Sequence, residues 1–182
     1  MKYLLLISII AYFTFNNCLA QTNYSSQCNV INRNDSSGLY KFYLSVYNNN
    51  ISGLLLFKKT SDSTIRAVLT SEMGPKIIDL ELNNTSYKVN FAIKQLRKKI
   101  ILKSFYTDFA SIAGILKFNK ESGRYFSEQS DSSKLNKTVL YNKKGQELEI
   151  YYFCNNNKTN ADSVFLQHFN FKMRIELRKI DF

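Results

Sequence analysis

Alternation constrains this chain more than any other feature. In "FNFKMRIELRKI" Phe169, Phe171, Met173, Ile175 and Leu177 take every second position, with Asn170, Lys172, Arg174, Glu176 and Arg178 between them. A period of two puts the two sets on opposite faces of a β-strand. The pattern begins at Gly38. "LYKFYLSVY" sets Tyr40, Phe42, Leu44 and Val46 on one face, and "ISGLLLFKK" and "STIRAVLT" follow across "YNNN" and "TSDS", which are turn chemistry. After the Met73-Gly74-Pro75 corner, Ile78, Leu80 and Leu82 alternate with Ile77, Asp79 and Glu81. "SYKVNF" then groups Tyr87, Val89 and Phe91 opposite Lys88 and Asn90. Short strands joined by such turns predict an antiparallel meander.

The period changes after Phe91. Ile93, Leu96, Ile100, Phe105, Phe109, Ile112 and Leu116 recur at helical steps, as one helix or as two with a break around Lys103. Strands return in "GRYFSE", "KTVLYN", "QELEIYYF" and the segment quoted first. The expected fold is mostly β (α+β): a curved antiparallel sheet of about nine strands, capped by a mid-chain helical insertion. A sheet that wide, with one face under one helix, curls into a half-barrel. Apolar surface that the helix leaves open becomes a ligand site.

The first residues set the address. Lys2 precedes an apolar stretch from Tyr3 to Phe15, which is the length of a signal-peptide core and too short for the roughly twenty residues of a membrane span. Residues 1–20 therefore read as a signal peptide cleaved between Ala20 and Gln21. The competing reading is a lipidated Cys18, although the "FNN" before it is bulky and polar where lipidation favours small residues. Residues 21–37 are a polar, Ser- and Asn-rich leader. Residues 38–182 fit one domain. Beyond the signal peptide, Cys28 and Cys154 are free to pair in an oxidising compartment, or to stay as thiols. Asn-x-Ser/Thr sequons such as those at Asn50, Asn84 and Asn157 arise by chance in a chain this rich in those residues.

The order of parts resembles the LolA/LolB-like fold, in which bacterial envelope carriers and receptors shelter acyl chains. "ISGLLLFKK", "RAVLTSEMGPKIIDLEL", "YKVNFAIKQLRKKIILKSFYTDF" and "LQHFNFKMRIELRKI" are similar to segments of Gram-negative envelope lipoproteins of that fold. The likeness covers about residues 38 to 180. It implies a periplasmic or outer-membrane-associated protein that binds lipid or the acyl chain of a lipoprotein. Members often start at a lipidated cysteine, which is the position Cys18 would hold.

Chemistry beyond packing is sparse. The single histidine, His168, has no G-x-S-x-G near it and reads as a strand-end or surface residue. No metal-ligand spacing, calcium loop or phosphate loop occurs, so no metal or cofactor is implied. Asp79 and Glu81 share one strand face, as do Glu147 and Glu149. Paired carboxylates serve glycoside hydrolysis, but alternation alone predicts polar residues on a solvated face. Lys94, Arg97, Lys98, Lys99 and Lys103 gather around the helix, on a chain of formal net charge +11. They read as a solvated helix face or as a dock for an anionic membrane surface. Export sets nucleic acid aside.

Two non-enzymatic functions follow. In the first, Tyr40, Phe42, Phe57, Tyr87 and Phe91 of the sheet, closed by Phe105, Phe109 and Ile112 of the helix, line a site for an acyl chain. Each buried methylene contributes about 0.8 kcal/mol, so such a site needs little polar chemistry. In the second, the same side chains fill the core, and the protein is a structural or interaction module acting through its basic surface. The sequence sets neither the cargo nor the oligomeric state.

Overall fold

The computed structural model describes residues 30–31, 36–116, 123–132, 135–154 and 160–180. The first half forms five antiparallel strands, β1 (Ser37–Val46), β2 (Asn49–Ser61), β3 (Thr64–Ser71), β4 (Lys76–Leu82) and β5 (Tyr87–Ala92). A 3-10 turn (Lys94–Leu96) and one helix, α1 (Lys99–Ile112), follow. The second half adds β6 (Tyr125–Ser132), β7 (Leu135–Asn142), β8 (Gly145–Cys154), β9 (Ala161–His168) and β10 (Met173–Lys179). All ten strands join one sheet in the order β5-β4-β3-β2-β1-β10-β9-β8-β7-β6. The sheet is curved and unclosed, a half-barrel.

This order determines where the helix lies. β5 and β6 are the two edges of the sheet, and α1 is the segment between them. The chain must cross the sheet to pass from one edge to the other, and it crosses over the apolar face. There Phe109 meets Phe42 of β1 and Phe57 of β2 at ring separations of 6.2 and 6.0 Å. Register shifts at Lys59/Ser61, Leu69/Thr70, Asp79/Leu80 and Phe153/Cys154 add the local twist that bends a wide sheet. At Gly53 a Cβ would stand 2.0 Å from the Thr70 carbonyl oxygen, so only glycine lets β2 approach β3 that closely. Gly74, at φ +100°, turns the β3–β4 corner between Ser71 and Pro75.

The strand count is ten rather than about nine, the addition being β9. The last strand begins at Met173, and Phe169 to Lys172 form the bend before it. The helical region breaks between the 3-10 turn and Lys99, upstream of Lys103. Val30 and Ile31, from the polar leader, are buried in the core. The Tyr40 hydroxyl stands 2.9 Å from the Val30 carbonyl oxygen and 3.3 Å from that of Ala161. Among the described residues no helix is long and apolar enough to cross a membrane.

Candidate functional site

The inner face is built by alternation. Tyr40, Phe42, Leu55, Phe57, Leu69, Ile78, Leu80, Leu82, Ile175 and Leu177 point to one side and are fully buried or nearly so. From above, α1 lowers Leu102, Phe105, Phe109 and Ile112, all buried. Phe109 is the hub, with Phe105 at 5.4 Å beside Phe42 and Phe57, and Tyr40 meets Phe57 at 6.3 Å. Tyr87 stacks on Tyr106 at 5.0 Å, at the margin of this set. Seven of the eight expected lining residues are thus brought together. Phe91 is not among them, because the bulge between Asp79 and Leu80 pairs it with Asp79 on the outer face. There it is partly exposed, and the Lys76 ammonium lies 6.0 Å from its ring.

A few polar contacts among the described residues tie the helix to the sheet. The Tyr106 hydroxyl bonds to the Asn83 carbonyl at 3.1 Å, and the Tyr152 hydroxyl lies 3.2 Å from the carbonyls of Ser111 and Ile112. The third contact is buried and ionisable: Asp108 Oδ1 lies 2.8 Å from His168 Nε2, with side-chain exposures of 0% and 5%. Among the described residues Asp108 Oδ2 and Ser111 Oγ have no hydrogen-bond partner. Burial pushes the Asp108 carboxyl above the usual carboxylate range, more than the bond to His168 lowers it, and Glu147 on β8 adds to the rise. His168 therefore is a strand-end residue, as expected, but an interior one. Its ring stacks on Phe171 at 4.4 Å.

The acid pair on β4 divides: Glu81 stays on the solvated face beside Lys88 and Asn90, and Asp79 does not. Asp79 is 1% exposed and is gripped by Arg66 at 2.9 and 2.7 Å, by Lys76 at 2.8 Å, and more weakly by Asn90 at 3.4 Å. The Arg66 guanidinium, chiefly, holds its carboxyl well below the usual range, against the opposing effect of burial. A carboxyl lowered in the folded state stabilises the fold above its unfolded pKa of 3.8, and that contribution is lost as the pH falls. Asp79→Asn is therefore expected to lose stability in urea titrations at pH 7 and to approach wild type below about pH 3. A pH-independent loss would assign the effect to packing instead. Glu149 is held by Lys137, Tyr151 and Gln146, and Glu147 by Arg124 and Asn142. Both acids are structural.

The basic cluster surrounds the start of α1. Lys94 lies on the 3-10 turn, Arg97 donates to the Ala92 carbonyl at 2.9 Å, Lys98 is the N-cap, and Lys99 and Lys103 lie on the helix. The first turn has no acid and the cap residue makes no side-chain bond. Cations at that end oppose the helix dipole, each by about 0.3–1 kcal/mol. Ile100, expected on the apolar stripe, is 79% exposed among these lysines. The β3–β4 corner lies at the same end of the sheet, since Ile93 N–H bonds to the Ile77 carbonyl, and its Met73 is 94% exposed. The β1–β2 turn with Tyr47 and the β9–β10 turn with Phe169 also lie at this rim, as the pairings Gly53↔Ser71 and Val46↔Met173 require. Nothing in the alternation signals this gathering, because it arises from topology. Cys154 is disulfide-bonded. Cys28, its expected partner, and Cys18 lie outside the described residues, as does the whole of residues 1–29.

No protein-family model matches the chain, and no curated protein matches it. Among solved structures it is similar to a LolA superfamily protein from Nitrosomonas europaea, at 8% identity and a TM-score of 0.49, over 84% of this chain and 87% of that one. It is also similar to a candidate outer membrane lipoprotein-sorting protein domain from Vibrio parahaemolyticus, at 9% identity and a TM-score of 0.39, over 80% and 84%.

Proposed function

We propose that this is a non-enzymatic protein of the bacterial envelope that takes up a lipid, or the acyl chain of a lipoprotein, between the half-barrel and α1. One observation carries the reading: among the described residues a single helix, strung between the two edges of the sheet, covers the apolar face. Lifting it exposes a trough lined by Tyr40, Phe42, Leu55 and Phe57, and an acyl chain can take the place of Phe105, Phe109 and Ile112. Docking on an anionic membrane involves Lys94, Arg97, Lys98, Lys99 and Lys103, with Met73 and Ile100 as exposed apolar contacts. Unfavourable cations at the start of α1 gain a compensating partner there.

The packed interior supports a second reading. Tyr40, Phe57, Phe109 and Phe42 are all fully buried and joined in that order by ring contacts, as expected of an interaction module with a filled core. The mass of the protein recovered from its native envelope fraction separates the two. An additional lipid-sized mass under native conditions, absent after denaturation, supports the carrier. If native and denatured masses agree, the carrier reading fails and the interaction module replaces it.

A further inference from the structure

A groove of about 600 Å³ runs over the turn-bearing rim beside His168. His168 and Met173 of its lining belong to the inner face, whereas Ser45, Gln167 and Arg174 belong to the outer one. The groove therefore spans the rim from inner-face to outer-face positions, and His168 in its lining is the residue that meets Asp108 of α1. Its walls are fixed: Tyr47 N–H donates to the Lys172 carbonyl at 2.9 Å, and Phe169 N–H to the Glu147 carbonyl at 3.1 Å. A second groove of about 380 Å³ continues from it across Ser45 and Arg174 to Asn50, Ser52 and Tyr43.

The lining is chemically one-sided. Lys172 and Arg174 are exposed and form no ion pair among the described residues, unlike Arg66, Arg124 and Arg178, which each hold a carboxylate. The Arg174 guanidinium lies 5.1 Å from the Phe165 ring, which steadies it without neutralising it. Asn170, Gln167 and Ser45 add neutral donors. Glu176, the acid of the second groove, is already paired with Arg178 at 2.6 Å. Two uncompensated cations with amide and hydroxyl neighbours suit a phosphate ester.

We infer that this groove holds the phosphate of an anionic phospholipid whose acyl chain enters under α1. The inference rests on the acyl-binding reading and narrows its ligand class, from any acyl chain to a lipid with a charged head group. Lys172 and Arg174 face the phosphate, and the amide and hydroxyl side chains face its ester oxygens and head-group substituents. His168 marks the point where head and chain part, since its ring borders the groove while Nε2 meets Asp108 of the helix.

The test uses the full chain, stripped of lipid and incubated with vesicles of phosphatidylcholine, or of phosphatidylcholine mixed with phosphatidylglycerol. Lipid retained after the vesicles are removed is identified by mass. Wild type is expected to retain phosphatidylglycerol preferentially. Replacing either cation, by Lys172→Ala or Arg174→Ala, lowers that retention about tenfold. Lys58→Ala, an exposed cation on β2 outside both grooves, leaves it unchanged. Equal retention of both lipids, or retention unaffected by Lys172→Ala and Arg174→Ala, overturns the head-group assignment while acyl binding stands. Retention of neither lipid overturns acyl binding itself. Inorganic phosphate that competes as well as phosphatidylglycerol shows a free anion site and likewise overturns the lipid assignment.

Discussion

Phe109→Ala is expected to lower the stability of the fold by about 3–5 kcal/mol, the usual cost of emptying a buried aromatic site. For a chain of this size that is a fall of about 10 °C in Tm. The figure is high because the ring touches Phe42, Phe57 and Phe105, from two strands and the helix, so no single neighbour can collapse into the space. Phe153→Ala on the outer face, where the ring is partly exposed, should stay within about 0.5 kcal/mol. The two functional readings diverge on what lipid does to the Phe109 variant. If an acyl chain takes the place of the ring, the wild type must displace Phe109 to bind, and the variant need not. Lipid should then raise the Tm of the variant more than that of wild type, through binding to the folded state alone. An interaction module with a filled core gives no lipid-dependent shift in either protein. Thermal scans of both proteins, with and without phospholipid, decide between them.

How far the fold could be read in advance depended on whether a strand obeys its own alternation. β4 and β10 were legible because the inward positions from Ile78 to Leu82 and from Met173 to Leu177 are aliphatic or methionine, and most outward positions are charged. β9 breaks that rule at both ends of the scale. Its inward set, Val164, Leu166 and His168, ends in an imidazole, while its outward set, Ser163, Phe165 and Gln167, contains an aromatic ring. Each exception has a partner far away in the chain. His168 is admitted to the interior by Asp108 of the helix, and Phe165 lies under Arg174 and beside Tyr151. Asp79 likewise points outward and is still buried, because Arg66 and Lys76 reach over it from β3 and from its own strand. Period-two reasoning prices a residue by its own polarity, and these residues take their burial from others. The aromatic hub was visible as a set of inward rings. The rim was not, since Met73, Ile100, Tyr47 and Phe169 come from four separate connections that only the strand order brings to one end.

His168→Leu should be as damaging as the loss of Phe109, for a different reason. It leaves the Asp108 carboxyl in the interior with Oδ1 deprived of the imidazole, Oδ2 without a partner among the described residues, and only the Ser104 hydroxyl of its own helix beside it. Removing one half of a buried pair costs about 3–5 kcal/mol, whereas replacing both halves by apolar groups is often close to neutral. The double variant Asp108→Leu, His168→Leu is therefore expected to recover most of what the single variant loses. Equal losses in single and double variants would show that shape, not charge, governs the contact. The pH dependence gives an independent check. The folded-state pKa of Asp108 is raised above 3.8, so its contribution is fully present below that pH and fades as pH rises through the folded value. Asp108→Asn, which cannot ionise, should gain on wild type as the pH rises above 3.8, opposite in sign to Asp79→Asn. The groups facing Asp108 are His168 on β9 and Glu147 on β8, the latter paired with Arg124 before β6. Since Asp108 and His168 are the one ionisable pair joining α1 to the sheet among the described residues, they also bear on ligand entry. If the helix must lift to admit an acyl chain, His168→Leu should take up phospholipid faster than wild type at a temperature where both remain folded. Unchanged uptake, despite the expected loss of stability, would mean that the chain enters without moving the helix.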